Sequence, residues 1–154
     1  MAATHRILDD FYEESFTLFA LHSSLEDSAV AYSLNRRLKS RFKRLPKDLD
    51  IAQGISFPIF EWKDVVNDRY WTLISNICRQ EAKSGAGDLF MNEPSYTTNY
   101  LIPEYKEVDY IIKIEGELTE ADTNVLESVT NIPGMIAAYS LETNKLKSKK
   151  NLIF

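Results

Sequence analysis

Residues 15–21, SFTLFAL, constrain the fold of this chain more than any other stretch. In an extended chain Phe16, Leu18 and Ala20 fall on one side and Thr17, Phe19 and Leu21 on the other, the pattern of a strand covered on both faces. Such a strand belongs in the interior of a sheet. A helix is expected directly after it. Ser24 and Asp27 have the spacing of a capping box, and Ala31, Leu34, Leu38, Phe42 and Leu45 recur every three or four residues as one apolar stripe. Pro46 and the polar KDLD end that helix, and Gly54 marks the next connection.

SFPIFEWKDVVNDRYWTLISNIC reads as a hairpin turning near Asn67 and Asp68, with Pro58 at an edge or bulge, where a missing ladder amide is tolerated. Residues 79–101 hold no sustained period and contain Gly85, Gly87 and Pro94, so a long loop is expected there. VDYIIKIEG is a strand. Thr119 and Asp122 then open a second helix with Ala121, Val125, Val129 and Ile132 on one face, Pro133 and Gly134 turn the chain, and MIAAYSL is a strand. The closing ETNKLKSKKNLIF reads as a further edge strand. Two strand-helix-strand units result, which predicts a single α+β domain over residues 1–154. Its sheet is antiparallel or mixed, with both helices packed on one face, in a ferredoxin-like or related sandwich.

The composition fits a folded domain: 44% of the 154 residues are hydrophobic, with only 5 Gly and 5 Pro. No apolar run approaches the roughly 20 residues that span a bilayer. Asp9, Asp10, Glu13 and Glu14 stand where a secretory leader needs a basic flank and an apolar stretch, so a cytoplasmic location without membrane association is expected. Cys78 is the single cysteine, which rules out an internal disulfide, and with two histidines it does not supply a zinc ligand set. No cofactor is expected. His22, Ser23 and Ser24 lie too close in sequence to face one substrate together, and HSSLED reads as a helix cap.

Charge is unevenly placed. Arg36, Arg37, Lys39, Arg41, Lys43, Arg44 and Lys47 succeed one another without an acid, in a chain of net charge −5. On a helix continuing to residue 47, all but Arg41 fall within roughly 100° of Arg36, opposite Leu34, Leu38, Phe42 and Leu45. Helix-dipole matching accounts for cations in the last turn only. The remainder point to an acidic partner: an acidic protein, RNA, or the acidic surface of a second copy in a symmetric dimer. For RNA, Trp62, Tyr70 and Trp71 in the hairpin are the candidate stacking aromatics, although no ribonucleoprotein or GxxG motif accompanies them. A second basic cluster, Lys145, Lys147, Lys149 and Lys150, follows near the C-terminus.

LIPEYKEVDYIIKI, residues 101–114, combines a proline, carboxylates and tyrosines at a strand entry. Pro103 holds Ile102 extended, EYKE can turn, and Tyr110, Ile112 and Ile114 share a core face. Ile102, Pro103 and Glu104, then after three residues Val108, Asp109 and Tyr110, spell IPExxxVDY, and here the chain resembles the family named after that motif. LHSSLEDSAVAYSLNRRL and YWTLISNIC are similar to that family too, so the likeness covers most of the chain. It implies a single-domain cytoplasmic protein of similar length from Bacteroidota, and carries over no catalytic residue. Physically, the motif reads as a turn whose Asp109 accepts amide bonds. The functional alternative gathers Glu104, Tyr105, Glu107, Asp109 and Tyr110 along a binding groove or, as an enzyme, an acid-base cluster. No nucleophile, metal ligand set or phosphate loop stands beside them, so the expectation is a non-enzymatic binding module acting through the basic helix face.

Overall fold

The computed structural model describes residues 16–82, 95–119 and 122–154. In chain order its elements are β1 (Phe16–Ser23), α1 (Asp27–Leu38), β2 (Lys43–Arg44), β3 (Leu49–Ala52), β4 (Ile55–Phe57), β5 (Ile59–Asp64), β6 (Arg69–Ser75), β7 (Ile77–Ala82), β8 (Ser95–Tyr100), β9 (Tyr110–Glu115), α2 (Thr123–Thr130) and β10 (Met135–Leu141). Short 3-10 turns cover Pro103–Tyr105, Thr143–Lys145 and Lys149–Leu152. β1 is the interior strand its sequence demands, paired on one side with β10 and on the other with β9 in a six-stranded sheet of order β10-β1-β9-β6-β5-β2. Every pairing among the described residues is antiparallel. β9 and β10 therefore run the same way with β1 between them, and α2 crosses over β1 to join them. The α1 crossover leads instead to β2 at the far edge. The fold is thus α+β, in the antiparallel form of the expected sheet.

Alternation along the strands makes two cores. On one face Phe19, Leu21, Trp71, Leu73, Ile112 and Ile114 meet Val30, Ala31 and Leu34 of α1 and Val129 and Ile132 at the end of α2. On the other, Leu18, Ala20, Ile59, Ile74 and Ile111 meet Leu101, Ile102, Val108, Leu146 and Leu152, which come from turns and connections. Each such side chain, fully buried, stabilises the fold by about 1.5–3 kcal/mol before entropy is counted. No helix among the described residues is long and apolar enough to cross a membrane.

Several expectations are corrected. α1 stops at Leu38, where Lys39 takes a left-handed φ of 55°. Asn35 causes the stop: its side chain bonds both the N–H and the C=O of Phe42 and accepts from the Ser40 hydroxyl, folding the chain back. Phe42 still reaches the helix-side core while Leu45 packs on the opposite one, so the apolar repeat continued beyond the helix that began it. The Ser24–Asp27 box does not form; Glu26 is the N-cap, without a side-chain bond. Residues 79–101 are not one loop, because β7 and β8 form a hairpin from Ile77↔Tyr100 to Ala82↔Ser95; the glycines and Pro94 lie outside the described residues. Ser-Tyr-Thr-Thr-Asn-Tyr makes a strand without an apolar period to reveal it. The closing stretch forms 3-10 turns rather than an edge strand, bringing Leu146 and Leu152 down onto the sheet.

The hairpin turn is tied to the start of α2 by charge. Arg69, its side chain 8% exposed, bonds Asp122 and lies 3.4 Å from Asp64. Thr119 donates its amide and, at 3.1 Å, its hydroxyl to Asp122, but Asp122 is itself the N-cap of α2, so the expected capping box with Thr119 as the cap does not form; Ala121 lies outside the described residues. Burial, the largest influence on Asp122, pushes its pKa up; the bonds from Arg69 and Thr119 outweigh it and hold the carboxyl below its ordinary value. Its contribution to stability is therefore present above the ordinary carboxylate range and lost as pH falls through the depressed folded value. Arg69→Ala leaves two buried carboxylates without their cation, and in denaturant titration it should cost about 3–5 kcal/mol. Acid unfolding of that variant should begin at higher pH than in the parent.

Candidate functional site

The IPExxxVDY segment is built around Asn76, which is fully buried. Its side-chain amide donates at 2.9 Å to the carbonyls of Tyr105 and Val108, and its carbonyl accepts from the Ile102 amide at 2.8 Å. Its backbone N–H donates to the Asp109 carbonyl, and its own carbonyl accepts from Leu101 N–H. One residue between β6 and β7 thus holds both ends of the 101–109 connection. Ile102 and Val108 are buried against the sheet, and Pro103 opens the 3-10 turn with its fixed φ.

The polar members of the motif are engaged within the chain. Glu104 accepts from the hydroxyl and the amide of Ser148. Asp109 accepts from the Ser23 amide at 2.8 Å, and the Tyr110 hydroxyl donates to the Leu25 carbonyl at 2.6 Å. Burial first, then the charges of Asp27, Asp109 and Glu26, push the Tyr110 pKa up to about 12, so it stays a donor. The last two residues of the motif therefore clamp the turn from β1 into α1. An open cleft of about 460 Å³ lies there, bordered by Ser23, Arg79, Asp109 and Tyr110, but not by Glu104, Tyr105 or Glu107. The structure does not bring the five carboxylate and tyrosine residues together. Ser23 donates to the Gly134 carbonyl and His22 bonds the Tyr139 hydroxyl at 2.8 Å, so neither forms a nucleophilic pair. Cys78 is a free, half-buried thiol on β7, and His5 lies outside the described residues. Among the described residues no group of His, Cys, Asp or Glu side chains could hold a metal ion.

The basic residues do not form one helix face, because the helix ends too soon. Arg36 and Arg37 sit in the last turn of α1, Lys39 caps it, Lys43 and Arg44 form the edge strand β2, and Lys47 lies in the bend that follows. All six are exposed, and they make a border around the end of α1 and the β2 edge. Arg44 pairs with Asp27 at 3.6 Å and with Asp48, and it stacks on Phe60. The Arg36 guanidinium lies 6.0 Å from the ring centre of Tyr32, which is 63% exposed. Beside them a groove of about 360 Å³ runs between Tyr32, Arg36, Arg37, Ile132 and Pro133. The proposed stacking aromatics do not form one exposed platform: Trp71 is 2% exposed, Trp62 is half-buried against Phe42 and Trp71, and Tyr70, half-buried in a surface cleft, donates to Glu61.

Sequence reasoning passed over Lys113. It lies on β9, buried, with its ammonium 4.2 Å from the ring centre of Phe154 and 5.1 Å from that of Phe16. Its cross-strand neighbour Thr72 has a buried hydroxyl without a partner, and Glu115 is 3.8 Å from the amine. Burial lowers the Lys113 pKa, with Glu115 opposing. The signal was a lysine at the core-facing position of IIKI, in a strand covered on both sides. No protein-family model matches the chain, and no curated protein matches it.

Two substitutions test this geometry in thermal and denaturant unfolding. Asn76→Ala orphans the Ile102 amide and two carbonyls and should destabilise by about 3 kcal/mol or more. Lys113→Met should stabilise at neutral pH by about 1 kcal/mol or more. A lysine whose pKa is depressed on folding binds fewer protons folded than unfolded, so parent stability rises with pH through the depressed value. The advantage of Lys113→Met should therefore shrink toward alkaline pH.

Proposed function

We propose that this protein is a non-enzymatic binding module that takes an acidic protein at the basic border of α1 and β2. One observation carries the reading. Arg36, Arg37, Lys39, Lys43 and Lys47 form no ion pair among the described residues, whereas Arg44 is held by two carboxylates of its own chain. Exposed pairs contribute about 0.2–1 kcal/mol each, so charge alone makes a weak complex. The groove adds an anchor: Tyr32 and the arginines, over Ile132 and Pro133, are the residue types that dominate interface energies. RNA is the weaker reading, since Trp71 is buried, Trp62 packs on it, Tyr70 is bonded to Glu61 and none of the three lines the groove beside the arginines. An enzyme is weaker still, since the motif carboxylates Glu104 and Asp109 are bonded elsewhere. The resemblance to the IPExxxVDY family, and the cytoplasmic address it implies, accord with such a module.

Fluorescence titration with a polyglutamate peptide and with single-stranded RNA, at low and raised salt, tests this. The peptide should bind and weaken with salt, and the triple variant Arg36→Glu, Arg37→Glu, Lys43→Glu should lose about tenfold or more in affinity, about 1.4 kcal/mol. Preferential RNA binding, or a variant that binds the peptide like the parent, would overturn the proposal.

A further inference from the structure

We propose that β10 is a dimerisation edge: its outer side pairs antiparallel with β10 of a second copy about a two-fold axis, joining two six-stranded sheets. The two edges of the sheet are unlike. β2 is two residues long and both are cations, the combination that keeps another strand from adding. β10 has seven residues, MIAAYSL, with no charge and no proline. Its inner side pairs with β1 from Leu18↔Leu141 to Ser23↔Met135, and no strand among the described residues pairs with its outer side. Alternate N–H and C=O groups there face outward, a template for one more strand. Ile136, passed over by the register where β10 bulges, is 72% exposed, an apolar side chain at the margin of this edge. Residues 137–141 continue in regular register.

The occupant is a second copy for three reasons. Head-to-tail addition would set β10 against β2 of the next molecule, seven residues against a charged two, whereas β10 against β10 joins equal edges and closes. An uncharged strand opposes itself with no like charges across the axis, although the chain as a whole is at −5. The strand ends are also complementary. Pro133, just ahead of Met135, shares its groove with Arg36 and Arg37, and the exposed Glu142 directly follows Leu141, its one ion pair among the described residues being a surface pair with Lys145. Antiparallel pairing sets the start of one strand against the end of the other, which brings arginines toward that glutamate. The inference stands on the strand edge and does not require the acidic-partner reading.

Sedimentation of the full chain from micromolar concentration upward is the test. The parent should reach twice 17.7 kDa, and the double variant Ile136→Lys, Ser140→Lys should stay at 17.7 kDa with unchanged far-ultraviolet circular dichroism. It should keep its affinity for polyglutamate, which separates this result from the basic-border test. Amide hydrogen exchange on the parent gives a readout independent of the variant: residues 137–141 should exchange more slowly at concentrations where the dimer forms than after dilution. A parent that is monomeric throughout, a dimer that survives both lysines, or edge amides that exchange alike in both states would overturn the proposal.

Discussion

The sheet is apolar on both faces, and among the described residues α-helices cover only one of them. α1 and α2 cover Phe19, Leu21, Ile112 and Ile114, which leaves Leu18, Ala20, Ile74 and Ile111 to be kept dry by Phe57 of β4 and, in large part, by turns and connections. Irregular backbone can be buried only when its polar groups find partners. Asn76 meets that requirement, bonding three groups of the 101–109 connection with its side chain and two with its backbone. Ser148 on Glu104, and Asn151 on the Leu101 carbonyl, then attach the 3-10 turns that carry Leu146 and Leu152. The IPExxxVDY segment is best understood as the keystone of this second layer.

How much of this was legible in the sequence depended on whether a signal was local. β1, the β5–β6 hairpin, β9, α2 and β10 were readable because their apolar spacing matches their own period; the expected hairpin ran too far at both ends, since Pro58 separates β4, which pairs with β3, and Asn76 separates β7, which pairs with β8. The end of α1 was not, because Phe42 and Leu45 kept helical spacing for different reasons, one in each core. The bond set on Asn35 that stops the helix links residues whose side chains are unremarkable in a linear reading. β8 was invisible because a polar strand on a two-stranded hairpin has no apolar face to advertise.

The candidate sites followed the same division. That Asp109 would accept a turn amide was foreseeable from its position, but that the amide is Ser23, far away in the chain, required the β1–β9 pairing. The cations were recognised as a group and misplaced as a helix face, since their geometry depended on the helix that Asn35 cuts short. Lys113 escaped notice because lysine in a strand ordinarily points to water, and only the second apolar layer makes its position interior.

The pairing of β1 has a consequence for how the molecule comes together. Its two neighbours are residues 110–115 and 135–141, so this interior strand of the sheet has no local partner. Loop closure over such separations must precede the contacts that reward it, which makes folding slow in comparison with a helical domain of this size. On the ribosome, SFTLFAL emerges long before either neighbour exists and stays an unpaired apolar segment until then, the kind of exposed surface that makes nascent chains prone to associate.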